Sequence, residues 1–229
     1  MNDCRNFSVE FSYSFKSRLG HYEHSRFLKE HIQKINLVDE NGAFVDEIGE
    51  INFMMIYLDE AMNSSFSIFD ILDGHSGYLA ENIFNVIDPE TLDINDLIQN
   101  KYDWTFCSSN ICFIEFVKVL PKYRRNKIAL KAIKDIIFHY SSSCALFFLK
   151  SFPLQFEANS EGKENLLLEQ FETNEKLAMG NLSKYYQSMG FEKVNGIKDL
   201  LFINPSVPNK KLKKIDLEEP EVFMHLIFP

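Results

Sequence analysis

Four cationic side chains, Lys122, Arg124, Arg125 and Lys127, crowd one short stretch of a chain whose formal net charge is −9. They follow the apolar run 111–120 and precede an apolar-periodic stretch that opens at Ile128. Pro121 stops the run, because proline has no amide to give to a sheet ladder. The order is therefore strand, basic loop, helix start. The first amides of a helix lack partners inside it and carry the positive end of its dipole. Such a junction is an anion site of the size a pyrophosphate needs. The residues expected there are Arg124, Arg125, Asn126, Lys127, Ile128 and Ala129, with Val117 and Val119 on the strand that leads in. An ordinary crossover with a solvated basic loop is the competing reading of the same residues.

The elements that must position this loop are legible from periodicity. Phe7, Val9, Phe11, Tyr13 and Phe15 alternate with Ser8, Glu10, Ser12 and Ser14, the pattern of a half-buried strand. Residues 32–38 read as a second strand, closed by a turn at Asp39-Glu40-Asn41-Gly42. Residues 45–57 read as a longer third strand with a bulge at Gly49. A helical pattern covers 67–87 and a short helix 92–98. Residues 128–140 carry an apolar stripe of Ala129, Ile133, Ile136, Ile137 and Tyr140, as a helix laid on a sheet requires. A buried strand is expected at 144–149, an acidic insertion with a surface helix around 166–171, and a helix at 182–189 closed by Gly190. A last core strand falls at 200–203. The fold class is then α/β, a mixed sheet flanked by helices, in one domain spanning 1–229. Its core is 111–203, with an N-terminal elaboration at 1–110 and a tail at 204–229.

Composition narrows the function classes. An acidic chain is repelled by phosphate backbones, so nucleic acid is disfavoured as a partner, and a cationic small-molecule acceptor is physically reasonable. No apolar run reaches the roughly 20 residues of a membrane helix. Cys4, Cys107, Cys112 and Cys144 form no CxxC pair, which points to reduced thiols and a cytoplasmic location. The 22 Phe residues promise a bulky aromatic core. His21 and His24 lack further metal ligands at suitable spacing. Asp88, Glu90, Asp93 and Asp96 lack the glycine and terminal glutamate of a calcium loop. Residues 73–77 read as a turn, not a nucleophile elbow. Cys107 or Cys112 would act as a nucleophile only beside a positioned histidine. Lys210 to Lys214 read as a solvated tail.

The segment 117–129 resembles the signature of the GNAT acetyltransferases: a V-x-V strand, a proline, an aromatic residue, then R/Q-x-x-G-x-G/A opening a helix. Val117, Val119, Pro121, Tyr123, Arg124 and Ala129 match, while Lys127 stands where the family has its first glycine. Tyr185-Tyr186-Gln187-Ser188-Met189-Gly190-Phe191 resembles the family's closing Y-x-x-x-G-F element. The resemblance implies an enlarged, bacterial-type GNAT variant that moves an acetyl group from acetyl-CoA to an amine acceptor by direct attack. It needs no metal. It assigns the pyrophosphate to the basic loop and the pantetheine arm to the backbone of Val117 and Val119. Tyr186 would protonate the departing thiolate, with Tyr185 facing elsewhere on the helix. The amine proton needs a base, and Glu115, among Ile114 and Phe116 on the face of Val117 and Val119, invites the raised pKa of a buried carboxylate. An inactive GNAT-like binding module and an enzyme that acetylates aminoacyl-tRNA remain alternatives. So does a homodimer.

Overall fold

The computed structural model describes residues 7–16, 26–64, 67–73, 75–153 and 174–217. His21, His24 and most of the acidic insertion, including its expected helix, lie outside the described residues. Six strands form one sheet in chain order: β1 (Phe7–Phe15), β2 (Leu28–Asp39), β3 (Phe44–Ile56), β4 (Ile111–Val119), β5 (Leu146–Lys150) and β6 (Leu200–Ile203). All neighbours are antiparallel except β4 and β5, which run parallel. The mixed sheet flanked by helices expected from the sequence is the observed architecture. The β2–β3 turn closes as its residues dictate. Asp39 Oδ1 accepts the amides of Asn41 and Ala43, each at 2.9 Å, and Gly42 takes a φ of +77° that costs glycine little.

Helices cover both faces. On one face α5 (Ile128–Tyr140) and α6 (Glu175–Ser188) close a core in which Ala132, Ile133, Ile136 and Tyr186 meet Ile51, Phe53, Ile114 and Leu149. On the other, four short helices, α1 (Leu58–Met62), α2 (Ile68–Asp73), α3 (Gly77–Ile83) and α4 (Asp96–Lys101), bury Leu58, Leu72 and Ile83 against Met54, Phe113 and Phe148. Each fully buried side chain of this kind stabilises by about 1.5–3 kcal/mol. Alternation along β4 and β5 supplies both cores, as expected of strands buried on two faces.

Several expectations need correction. The long helix at 67–87 is two helices, because Ser76 caps α3 through its hydroxyl, which accepts the Leu79 amide at 3.1 Å, and so ends one helical run and starts another. Within the expected turn, the His75 amide donates to the Leu72 carbonyl at 3.1 Å. The helix at 92–98 begins only after Asn95, whose carboxamide accepts the Leu97 amide at 2.9 Å; Leu92 has a φ of +61° that no helix contains. The stretch from Lys210 is not wholly a tail but a single helical turn, α7 (Lys210–Lys213), capped by Asn209. The bulge expected at Gly49 sits beside it. Ile35 pairs with Gly49 and Asn36 with Glu47, so Ile48 is the extra residue. Gly49 serves a different purpose, since a Cβ there would lie 2.4 Å from the Lys118 carbonyl oxygen on β4.

Candidate functional site at a fork in the sheet

A second bulge shapes the site. Asn52 pairs with Phe116 and Phe53 with Ile114, leaving Glu115 without an opposite residue on β3. A bulge bends the strand that carries it. Pairing of β4 with β5 runs from Ile111 opposite Leu146 to Ile114 opposite Leu149. Beyond the bulge β4 continues to Val119 with no partner from β5, and the two parallel strands fork. The fork opens a cavity of about 560 Å³ whose walls come from β4, the loop after it, the start of α5, the end of β5 and α6.

The loop crosses the fork in an unusual backbone. Pro121–Tyr123 make one tight helical turn, then Arg125 takes a φ of +69° and Lys127 a φ of +58°. Left-handed residues alternating with others turn successive amides toward one side, the pattern of an anion-binding nest. Lys127 is the N-cap of α5 and offers no side-chain cap. The first intrahelical bond runs from the Lys131 amide to the Lys127 carbonyl at 3.1 Å, so the amides of Ile128, Ala129 and Leu130 point out of the helix start. Leu130 hydrogen-bonds the hydroxyl of Tyr185.

Of the residues singled out in the sequence, Glu115, Val117, Val119, Arg124, Arg125, Lys127, Ile128, Ala129 and Tyr186 all line this one cavity. Asn126 does not. Its side-chain amide turns back to donate to the Tyr123 carbonyl at 3.2 Å. Arg124 partly serves the fold, donating from Nε to the Val119 carbonyl at 2.8 Å. Arg125 and Lys127 are exposed, and among the described residues neither lies within ion-pair distance of a carboxylate. Lys127 occupies a left-handed position that glycine would take without strain, and its side chain extends into solvent instead of filling the loop.

Tyr186 is buried, with its ring 6.2 Å from Phe191 and 5.6 Å from Tyr185. Burial, then the neighbouring Tyr185, push its phenol above the ordinary tyrosine range, so it holds its proton at neutral pH. Tyr185 does not face elsewhere as expected; it lines the same cavity. Burial pushes its hydroxyl up to about 12, while the Leu130 amide draws it down. Glu115 is exposed at the bulge. Cys112 is wholly buried, and burial followed by the adjacent Cys144 thiol pushes its thiol up, which makes it core and not a nucleophile. Lys150, Phe116, Phe152 and Asn181 also line the cavity and had no signal of their own in the sequence.

The fold and site define a class: a mixed α/β sheet forked between parallel strands, with a helix start that has no side-chain cap and exposed cations, Arg125 and Lys127, at the fork. No protein-family model matches the chain, and no curated protein matches its sequence. Among solved structures, arylalkylamine N-acetyltransferase 2 from Aedes aegypti is similar with a TM-score of 0.32 at 11% identity, over 75% of this chain and 73% of that one. A likeness at that level decides neither family nor activity. Among the described residues no group of His, Cys, Asp and Glu is placed to hold a metal ion, and no helix is long and apolar enough to cross a membrane.

Proposed function

We propose that the protein is a GNAT-type acyltransferase that moves an acetyl group from acetyl-CoA to an amine. The observation that carries this reading is the fork itself. Past Ile114 one side of β4 is released from β5, directly before a loop whose amides, with Arg125 and Lys127, form an anion cradle. The backbone of Val117, and of Val119 through its amide because its carbonyl accepts Arg124, is then available to pair with a pantetheine arm, as an added strand would. The pyrophosphate would sit against the amides of Ile128 and Ala129, with Arg125 and Lys127 beside it. The largely apolar cavity wall suits the arm and the acyl group.

In the reaction, the amine nitrogen bonds to the thioester carbonyl carbon and the carbon–sulfur bond breaks. The leaving thiolate takes one proton, and Tyr186, kept protonated by burial, is the donor at hand. The amine loses one proton, which Glu115 accepts directly or through water. Its exposure suits the second route. One domain with the core at 111–203 remains our reading of the chain's organisation, with residues before it shaping the acceptor side.

Calorimetric titration with acetyl-CoA tests the proposal. A dissociation constant in the low micromolar range, about −8 kcal/mol, is expected for the wild type. Arg125→Glu with Lys127→Glu should weaken it at least about tenfold, because both side chains leave the fold's own contacts untouched. Tyr186→Phe should bind acetyl-CoA normally and lose about a hundredfold in turnover. Folded wild-type protein that fails to bind acetyl-CoA would sink the reading.

A further inference from the structure

Three residues of the cavity wall belong to the face of the sheet opposite α5, and they bring their own chemistry. Lys150 ends β5. Phe147 and Leu149 pack on the α5 side, Leu146 and Phe148 on the other, so alternation turns Lys150 away from the anion cradle. Its Nζ lies 5.3 Å from the centre of the Tyr78 ring on α3. Phe116 and Lys118 reach the same face, since their partners across β3 are Asn52 and Glu50, which alternate with the α5-facing Ile51 and Phe53. All three, Phe116, Lys118 and Lys150, line the cavity.

The two lysines differ. Lys118 Nζ has Glu50 Oε1 at 3.7 Å. Among the described residues no carboxylate lies within ion-pair distance of Lys150, whose ammonium lies over the aromatic face of Tyr78. A partly buried ammonium group with no counter-ion among the described residues, on the cavity wall, favours an acceptor that brings an anion. The protein's diffuse negative charge does not oppose this. It is screened over about 8 Å at physiological salt, whereas a contact pair on the cavity wall is not.

We infer that the acceptor is an amine that also carries a carboxylate, an amino-acid-like molecule whose carboxylate is held by Lys150 and whose apolar part lies against Phe116. This rests on the acyl-transfer reading of the cavity. It reverses the cationic acceptor that net charge alone suggested. Lys150 is a specificity-determining residue here and takes no part in the proton transfers.

The test follows thiol release from acetyl-CoA with matched probes: L-phenylalanine against phenethylamine, and β-alanine against propylamine. The carboxylated member of a pair should have a kcat/KM at least about tenfold higher. Lys150→Gln should raise KM for the carboxylated probes by about the same factor, leave the decarboxylated probes within about twofold, and leave acetyl-CoA binding unchanged; Lys150→Arg should restore most of the difference. Equal or inverted preference within the pairs overturns the inference, as does a Lys150→Gln variant of wild-type thermal stability whose KM does not move. Acetyl-CoA binding with no thiol release from any probe overturns it too. In the first two cases thiol is still released, so the acyl-transfer reading stands; in the third only the binding of acetyl-CoA survives, and failure to bind acetyl-CoA removes both readings.

Discussion

Lys127 carries a backbone conformation that its side chain does not favour. A left-handed φ costs a residue with a Cβ roughly 1 kcal/mol or more, and glycine avoids it. Lys127 has no capping bond to offset that strain, so Lys127→Gly should raise stability by about 0.5–1 kcal/mol. In a chain of 229 residues that is a melting-temperature rise of about 1–4 °C, read by calorimetry. A fall would show that the lysine stem packs. The lysine at this position is then best understood as a charge retained for the cradle. His31 is a second strained residue. It stacks on Phe53 at 4.9 Å, its Nδ1 lies 3.1 Å from the Tyr140 hydroxyl, and its Nε2 is buried with no partner. Burial, then Lys29, lower its pKa from 6.5 to about 4. The unfolded chain therefore binds a proton near pH 6.5 that the folded one refuses until about pH 4. Stability is full above pH 6.5 and falls by up to roughly 3 kcal/mol as pH drops through that window. Urea midpoints at pH 7 and pH 5 should differ for the wild type, and by clearly less for His31→Phe, which keeps the stacked ring.

At the scale of elements, the fork depends on how closely β3 and β4 approach. Gly49 sits where a Cβ would meet the Lys118 carbonyl at 2.4 Å, backbone that cannot turn aside. Gly49→Ala should force the strands apart at the cavity wall, costing about 2–3 kcal/mol and loosening acetyl-CoA binding in the same variant. Chemical denaturation alongside titration checks both, and an unchanged denaturation midpoint would contradict the close approach. The elements around the fork were readable in the sequence. Pro121 ends β4, the apolar stripe marks α5 over 128–140, and the run at 200–203 is β6, because each is set by local periodicity and local stops. The fork was not. A bulge is a relation of register between two strands, and nothing in the alternation of β4 alone says that Glu115 has no partner on β3. The short helices before β4 misread as one for a related reason. The pattern continued across Ser76, and only the capping bond to Leu79 divides it.

Across the whole molecule, the sequence named Arg124, Arg125, Asn126, Lys127, Ile128 and Ala129 from one continuous segment, and all of them but Asn126 line one cavity. Lys150, Phe152 and Asn181 come from other segments. Only the parallel pairing of β5 beside β4, and α6 packed across both, brings them to the cavity. Tyr185 was set aside because helix periodicity separates it from Tyr186, yet the fork is wide enough to admit both. The same distribution would let an acidic protein hold a polyanion. Most of its charge is spread over the surface, while Arg125 and Lys127 stand without described carboxylate partners at the start of α5. Local charge at contact outweighs the net charge once salt screens the long-range field. Acetyl-CoA binding should therefore weaken with salt despite the unfavourable net charge. Between 0.05 and 0.5 M sodium chloride the dissociation constant should rise by about tenfold, because screening removes more attraction at the cradle than repulsion from afar. In Arg125→Glu with Lys127→Glu the sign should reverse, and the little binding that remains should tighten as salt rises. Titrations of both proteins across that range decide the matter: a wild-type constant that tightens with salt would mean that net charge governs, and that the cations at the fork do not face the ligand.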